Sequence, residues 1–343
     1  VRGDDNRYWS AVDEQGDDAH GRALRFVEHN KFVLELGPAA GHVTRALVDR
    51  GCQVVGIEVD PAAAAALDDV AECVVGDLDD PATISKVAGE RRFDVVLAGD
   101  VLEHLRDPLG TLRACREVLA PGGYIVVSVP NIAHADVTLS LLKGQFTYRN
   151  WGLLDATHIH FFTRTSLEKM IDDAGFVMVD LERVTYPVFA TELALDRSEV
   201  SDEVVEAVLQ NRDAETYQFV CRAVPHDGNV EVARLARRVL AAEERARRYH
   251  SDCLRAQAEI ESIRHETSAE IESIRHESSE QLPALIGENA MLRQQLAAAE
   301  ESVAAWSEQA RRQEIHVAAL LNSRTMRIVR PFRALYGVLR GSR

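Results

Sequence analysis

"VLELGPAAGHVT", residues 33–44, decides the fold. A short apolar run enters a turn rich in glycine, proline and alanine, and a helical pattern follows. A strand that empties into such a turn lets backbone approach a small ligand closely.

The same phrase recurs on both sides of that turn. "FVLELG" and "CQVVGIEVD" read as strands, each followed by a helix, the first over about Gly41–Arg50 and the second over "PAAAAALDDV". "AECVVGD", "FDVVLAGD" and "GYIVVSVP" read as further strands, with a helix over Pro108–Leu119. Runs this short, rich in Val and Ile and nearly free of alternation, fit strands buried on both faces. Their order predicts an α/β fold with a doubly wound, mostly parallel sheet. Residues 132–160 read as irregular or weakly helical. "TRTSLEKMIDDAGF" predicts a helix capped by Thr163 or Thr165 and stopped by Gly175. "FVMVDLERV" and "TYQFVCRAV" close the sheet, with a helix opened by Ser201 between them.

The 343 residues carry a net charge of -16 and a pI near 5.2, which argues against a general nucleic-acid surface. The five cysteines are scattered without CxxC spacing, so neither a thiolate metal site nor a disulfide framework is expected. No N-terminal stretch resembles a signal peptide and no run is long enough to span a bilayer, and a cytoplasmic location is the expectation.

Composition changes near Pro225–Gly228. Residues 230–321 hold one proline and one glycine among abundant Ala, Glu, Arg and Gln. "AEIESIRHET" at Ala258 returns as "AEIESIRHES" at Ala269, a period of 11 that places Ile260, Ile263, Ile271 and Ile274 in one stripe. From Leu285 the steps alternate four and three through Asn289, Leu292, Leu296, Ala299, Val303 and Trp306, as in a coiled coil. Pro283 is expected to interrupt the helix where the period changes. A continuous rod of this length would reach ~135 Å, and a parallel dimer or higher oligomer is the expected assembly. Residues 322–343 hold six arginines and no acid, interleaved with Val329, Phe332, Leu335, Tyr336 and Leu339. Such a basic amphipathic segment predicts peripheral contact with anionic lipid at the inner face of the plasma membrane. The expected organisation is therefore a cap over 1–29, a catalytic domain over 30–225, a coiled coil over 230–321 and a tail over 322–343.

The ligand class follows from the glycines. Gly37 and Gly41 stand in GxxxG spacing with Ala39 between them, which does not match the dinucleotide GxGxxG, and no GK[ST] follows. The segment resembles motif I of the class I S-adenosylmethionine-dependent methyltransferases, with Glu35, Gly37, Ala39 and Gly41 at the motif positions and Ala39 replacing the middle glycine. The resemblance covers residues 30–223. It implies that Glu58, ending "VVGIE", holds the ribose hydroxyls, with Asp60 as a rival that more naturally caps the next helix. It assigns the adenine contact to Asp77 with Leu78, and places Asp100, Val101, Glu103 and His104 of "GDVLEH" at the exit of the fourth strand. Tyr8 and Trp9 are expected to fold over the cofactor, as N-terminal aromatics do in similar enzymes.

"DATHIHFF" resembles a segment common in small-molecule methyltransferases, including many acting on sugars or quinones. His158 is the preferred general base, with His104, Asp100 and His160 behind it and His134 a lesser candidate. In an extended chain His158 and His160 point to opposite sides. Asp155, His158 and His160 also suggest a metal site, but no third carboxylate stands at fixed spacing, and no metal is assigned. No [DN]PP[YFW] box is present, which favours oxygen or small amine acceptors over DNA. "SRTMRIVRPFR" resembles a segment of bacterial polysaccharide-assembly proteins. Together with the coiled coil, it makes a sugar hydroxyl of a cell-surface glycan or its precursor the expected acceptor. A phenol or quinone of small-molecule metabolism is the alternative, and a coiled-coil scaffold with a degenerate enzyme domain is the third reading.

Overall fold

The computed structural model describes residues 16–80, 82–226, 230–277 and 282–322. The chain divides into two compact units, Val1–Ala233 and Arg234–Arg343. Tyr8, Trp9 and the arginine-rich tail after Asn322 lie outside the described residues.

The first unit runs α1 (Ala19–Val27), β1 (Phe32–Leu36), α2 (His42–Asp49), β2 (Gln53–Glu58), α3 (Pro61–Ala65), β3 (Glu72–Val75), α4 (Thr83–Ala88) and β4 (Phe93–Gly99). It continues through α5 (Pro108–Glu117), β5 (Leu119–Pro130), α6 (Ala135–Leu142), α7 (Arg164–Asp173), β6 (Phe176–Thr185), α8 (Asp202–Leu209) and β7 (Thr216–Pro225). The seven strands form one sheet in the order β3-β2-β1-β4-β5-β7-β6. Strands β1 to β5 pair in parallel, while β7 runs antiparallel between β5 and β6. The strand order reverses at β1/β4, the crevice where open α/β sheets take their ligands.

Local chemistry explains the elements. Val33, Leu34 and Leu36 of β1 and Val95, Val96 and Leu97 of β4 are buried, as expected for central strands covered on both faces. Thr163 caps α7 in a capping box with Ser166, and Gly175 follows at φ 83°. The helix expected over "PAAAAALDDV" stops at Ala65: the chain tightens into turns bonded from Leu67 N to Ala64 O and from Val70 N to Leu67 O, and Leu67 is buried. Helices α1, α4 and α6 were not separately legible in the sequence. Helix α1 is tied down by Tyr124 of β5, whose hydroxyl lies 3.0 and 2.9 Å from the carbonyls of Phe26 and Val27. Beside it, buried Arg222 of β7 bonds Asp180 and Glu28 and lies over the Tyr124 ring.

The second unit holds α9 (Val230–Glu277) from Arg234 onward and α10 (Leu282–Asn322). The helix is divided near Pro283, as its place in the sequence leads one to expect, and Pro283 stands in the first turn of α10, where a missing N–H costs nothing. They pair antiparallel: Gln309 bonds Tyr249, Cys253 meets Ser307, and Arg264 pairs with Glu300. The partner of each stripe in this chain is therefore the other helix. Among the described residues no helix is long and apolar enough to cross a membrane.

Because the first unit has its own core, a chain truncated after Pro225 should unfold cooperatively in urea and scatter light as a monomer. Aggregation of that fragment would show that it needs the second unit to fold.

Candidate active site

The C-terminal ends of β1, β2, β3 and β4 converge on one edge of the sheet. The β1 turn is built from left-handed backbone, with Gly37 at φ 62°, Ala39 at 47° and Gly41 at 73°. A Cβ on Gly37 would come within 2.9 Å of Val101 Cγ2, and one on Gly41 within 2.1 Å of Leu67 Cδ2. Both glycines are thus fixed by conformation and by space, while Ala39 bears a cost of ~1–2 kcal/mol for its conformation.

Glu58 holds this turn in place. Its Oε2 accepts from Ala39 N and its Oε1 from Asp60 N, each at 2.9 Å. Asp60 instead turns outward and caps α3 by accepting from Ala62 N at 2.8 Å. Each carboxylate oxygen of Glu58 keeps a lone pair, so two vicinal hydroxyls have acceptors at the strand end. Glu35 is buried one strand over, where Thr44 Oγ1 donates to it at 2.8 Å. Burial raises its pKa to about 7 against the lowering effect of that bond. Asp77 is exposed and accepts from Asp79 N, an Asx turn that shapes the loop after β3. Leu78 accepts from Thr111 through its carbonyl, and Asp79 also accepts from Arg106 N, which joins this loop to the one after β4.

After β4 the chain turns through Asp100 at φ 55°. Ser128 donates to Asp100 Oδ1 at 2.6 Å, and Gln218 Nε2 donates to the same oxygen. Asp100 is therefore anchored to β5 and β7 through one carboxylate oxygen. Glu103 is almost wholly buried, and burial, with the Asp100 charge next, raises its pKa well above the carboxylate range. Its Oε2 has no hydrogen-bond partner among the described residues. Its carbonyl accepts from Ile159 N and His160 N, which clamps the histidine segment onto the β4 exit.

This clamp brings His158 to His104, with ring centroids 4.8 Å apart and edge-on geometry. His104 Nδ1 lies 3.2 Å from the Thr157 carbonyl, whereas His158 Nδ1 is shielded and has no partner among the described residues. Burial, followed by repulsion from His104, lowers the His158 pKa and favours the neutral imidazole. His160 turns away to stack on Phe162 and reach the Arg106 carbonyl. His134 is fully buried, accepts from Asp136 N and contacts the Tyr186 carbonyl, so it caps α6 rather than serving the pocket. The metal set weighed from sequence, Asp155, His158 and His160, is not gathered, because Asp155 closes its own turn on Thr157. Among the described residues, Glu103, His104 and His158 form a group that could hold a metal, with ligand atoms within 4.8 Å of one another. Ser128 and Gln218 carried no local signal, since only strand pairing brings them to Asp100.

The methyltransferase-domain family model matches residues 8–181, half of the chain. The chain belongs to this family. It is 32% identical over 166 residues to the ubiquinone biosynthesis O-methyltransferase of Psychrobacter arcticus, covering 46% of this chain and 63% of that one. A protein of the same name from Cereibacter sphaeroides is 28% identical over 179 residues, covering 51% and 72%. Among solved structures, a SAM-dependent methyltransferase from Archaeoglobus fulgidus aligns over 60% of this chain and 91% of its own, at 18% identity and a TM-score of 0.45. S-adenosylmethionine is the cofactor of this enzyme, and the strand-end residues fit it: Glu58 offers paired acceptors beside the left-handed Gly37–Gly41 turn.

Two outcomes follow for the strand ends. Glu58→Ala should weaken cofactor binding ~10-fold or more in calorimetric titration while far-UV dichroism is retained, because a charged acceptor is lost. Unchanged affinity would move the ribose contact to Asp60. Glu35 is neutral in the folded chain up to about pH 7, whereas an unfolded glutamate ionises near 4.5. Its contribution to stability is full below pH 4.5 and is lost as pH rises through 7. Glu35→Gln should remove that slope and be more stable above pH 7 by on the order of 3 kcal/mol in urea unfolding.

Proposed function

We propose that this methyltransferase acts on oxygen, and that its acceptor is a hydroxyl on a small phenol- or quinone-type molecule. The observation that carries the reading is His158, brought edge-on to His104 at the β4 exit because the next two residues, Ile159 and His160, donate to the Glu103 carbonyl. The names of the relatives support oxygen as the nucleophile and a quinone-type ring as the acceptor. The glycan acceptor expected from sequence rests on the cofactor motifs, the coiled coil and the tail together; the tail beyond Asn322 lies outside the described residues, and no relative above is named for a glycan.

The sulfonium cofactor supplies an activated methyl group, so the chain's tasks are alignment, exclusion of water and removal of one proton. Glu58 and the Gly37–Gly41 turn fix the nucleoside end, and Asp77 with Leu78 borders its base. Asp100, pinned by Ser128 and Gln218, sets the height of the β4 exit and with it the position of the reacting centre. His158 takes the acceptor proton as carbon–oxygen bond formation proceeds, and His104 beside it favours the unprotonated ring in the resting state. Phe161 lies edge-on to His158, and Phe146 and Tyr148 continue this aromatic wall towards solvent, a surface suited to a flat ring.

His158→Ala should lower kcat by ~10²–10⁴-fold and leave cofactor affinity unchanged. The assay is a transfer screen with labelled cofactor against catechols, hydroquinones and sugar hydroxyls. Labelling confined to sugars would reject the acceptor class, and full activity of the variant would reject His158 as the base.

A further inference from the structure

The helical hairpin of the second unit leaves two matched stripes half covered. On α9, Tyr249, Cys253, Ala256, Ile260, Ile263 and Thr267 follow the three-four spacing of a coiled-coil seam. On α10, Leu292, Leu296, Ala299, Val303, Trp306 and Ala310 do the same. The cross-helix contacts Cys253–Ser307 and Arg264–Glu300 fix the antiparallel register that brings these stripes face to face. Within these two sets only Ile260 is buried; the others remain partly exposed, and Trp306, at a seam position, is 40% exposed. At another seam position of α10, Asn289 Oδ1 is shielded from solvent and has no hydrogen-bond partner among the described residues. A pair of helices covers one side of each seam, whereas a four-helix bundle encloses it.

Charge says what the cover is. The half of the hairpin nearest its turn, residues 258–301, holds ten acids against three arginines. The opposite half, residues 230–257 and 302–322, holds nine arginines against six acids. Each hairpin is therefore acidic at its tip and basic at its base. Two copies laid tip against base match opposite charges twice under one two-fold axis, whereas tip against tip sets like charges together. We propose that the hairpin packs against that of a second copy of this chain, tip to base, and that the two complete an antiparallel four-helix bundle. The apolar seams supply the burial, and the charge gradient sets the orientation.

The test uses the full chain in light scattering coupled to size exclusion. A dimer is expected at tens of micromolar, with affinity falling as salt is raised. Trp306→Ser should weaken it at least 10-fold without loss of helicity by circular dichroism, because that ring is exposed in the single hairpin. A base-reversed chain (Arg247→Glu, Arg248→Glu, Arg255→Glu) and a tip-reversed chain (Glu259→Arg, Glu266→Arg, Glu270→Arg, Glu288→Arg, Glu301→Arg) should each be monomeric at low salt. Mixed, they should form a one-to-one heterodimer, since both tip–base contacts become attractive. A monomeric wild type would overturn the proposal. So would dimerisation that strengthens with salt, or that survives either charge reversal unchanged.

Discussion

The cofactor end of the molecule depends on a single carboxylate. Glu58 accepts from the backbone of Ala39 on one side and of Asp60 on the other, so one side chain joins the ends of β1 and β2. The turn it holds has left-handed backbone at three positions, an arrangement that a free loop would not keep. Strand order gives this tie its consequence. Because β1 lies between β2 and β4, a turn fixed from β2 presents its other side to Val101 at the β4 exit, where Gly37 leaves no room for a side chain. The binding edge is thus rigid before any ligand arrives, which lowers the ordering cost of binding.

The acceptor side follows a different logic, built on burial rather than on hydrogen-bonded turns. Glu103 is kept neutral by its surroundings while Asp100, three residues earlier, is held by two donors. The two neighbouring carboxyls thus sit in different surroundings, one buried and one hydrogen-bonded. Here the buried member also supplies the carbonyl that clamps Ile159 and His160. Removing the Glu103 side chain would therefore disturb the histidines through packing as well as through charge, which makes it a poor probe of chemistry alone.

How much of this was legible in the sequence depends on distance along the chain. The strands, the glycine turn, the Thr163 cap and the stop at Gly175 are local matters of propensity, conformation and capping, and each reads from a few adjacent residues. Glu58 was legible as a strand-end acid, and Asp60 as a cap, for the same reason. Ser128 and Gln218 were not, because they meet Asp100 only through the β5–β7 pairing, in which β7 enters antiparallel. The buried cluster of Arg222, Asp180 and Glu28 is of the same kind. The difference between His158 and His160 was half legible: alternation says that they part, but only the Glu103 clamp says which one meets His104.

The helical region shows the limit most clearly. A periodic stripe states that a face will be covered and is silent about by what. The same stripe on α10 serves a parallel dimer, a docked helix or an internal partner equally well. Pro283 tips the balance, since a proline is costly within a continuous helix but free in the first turn of a new one. Once the chain reverses there, α9 is the nearest apolar face at the highest effective concentration, and it takes the seam. What it leaves unsettled, the exposed ring of Trp306 and the unpartnered oxygen of Asn289 among the described residues, is then a property of the hairpin as a whole, with a charge gradient that no single helix carries.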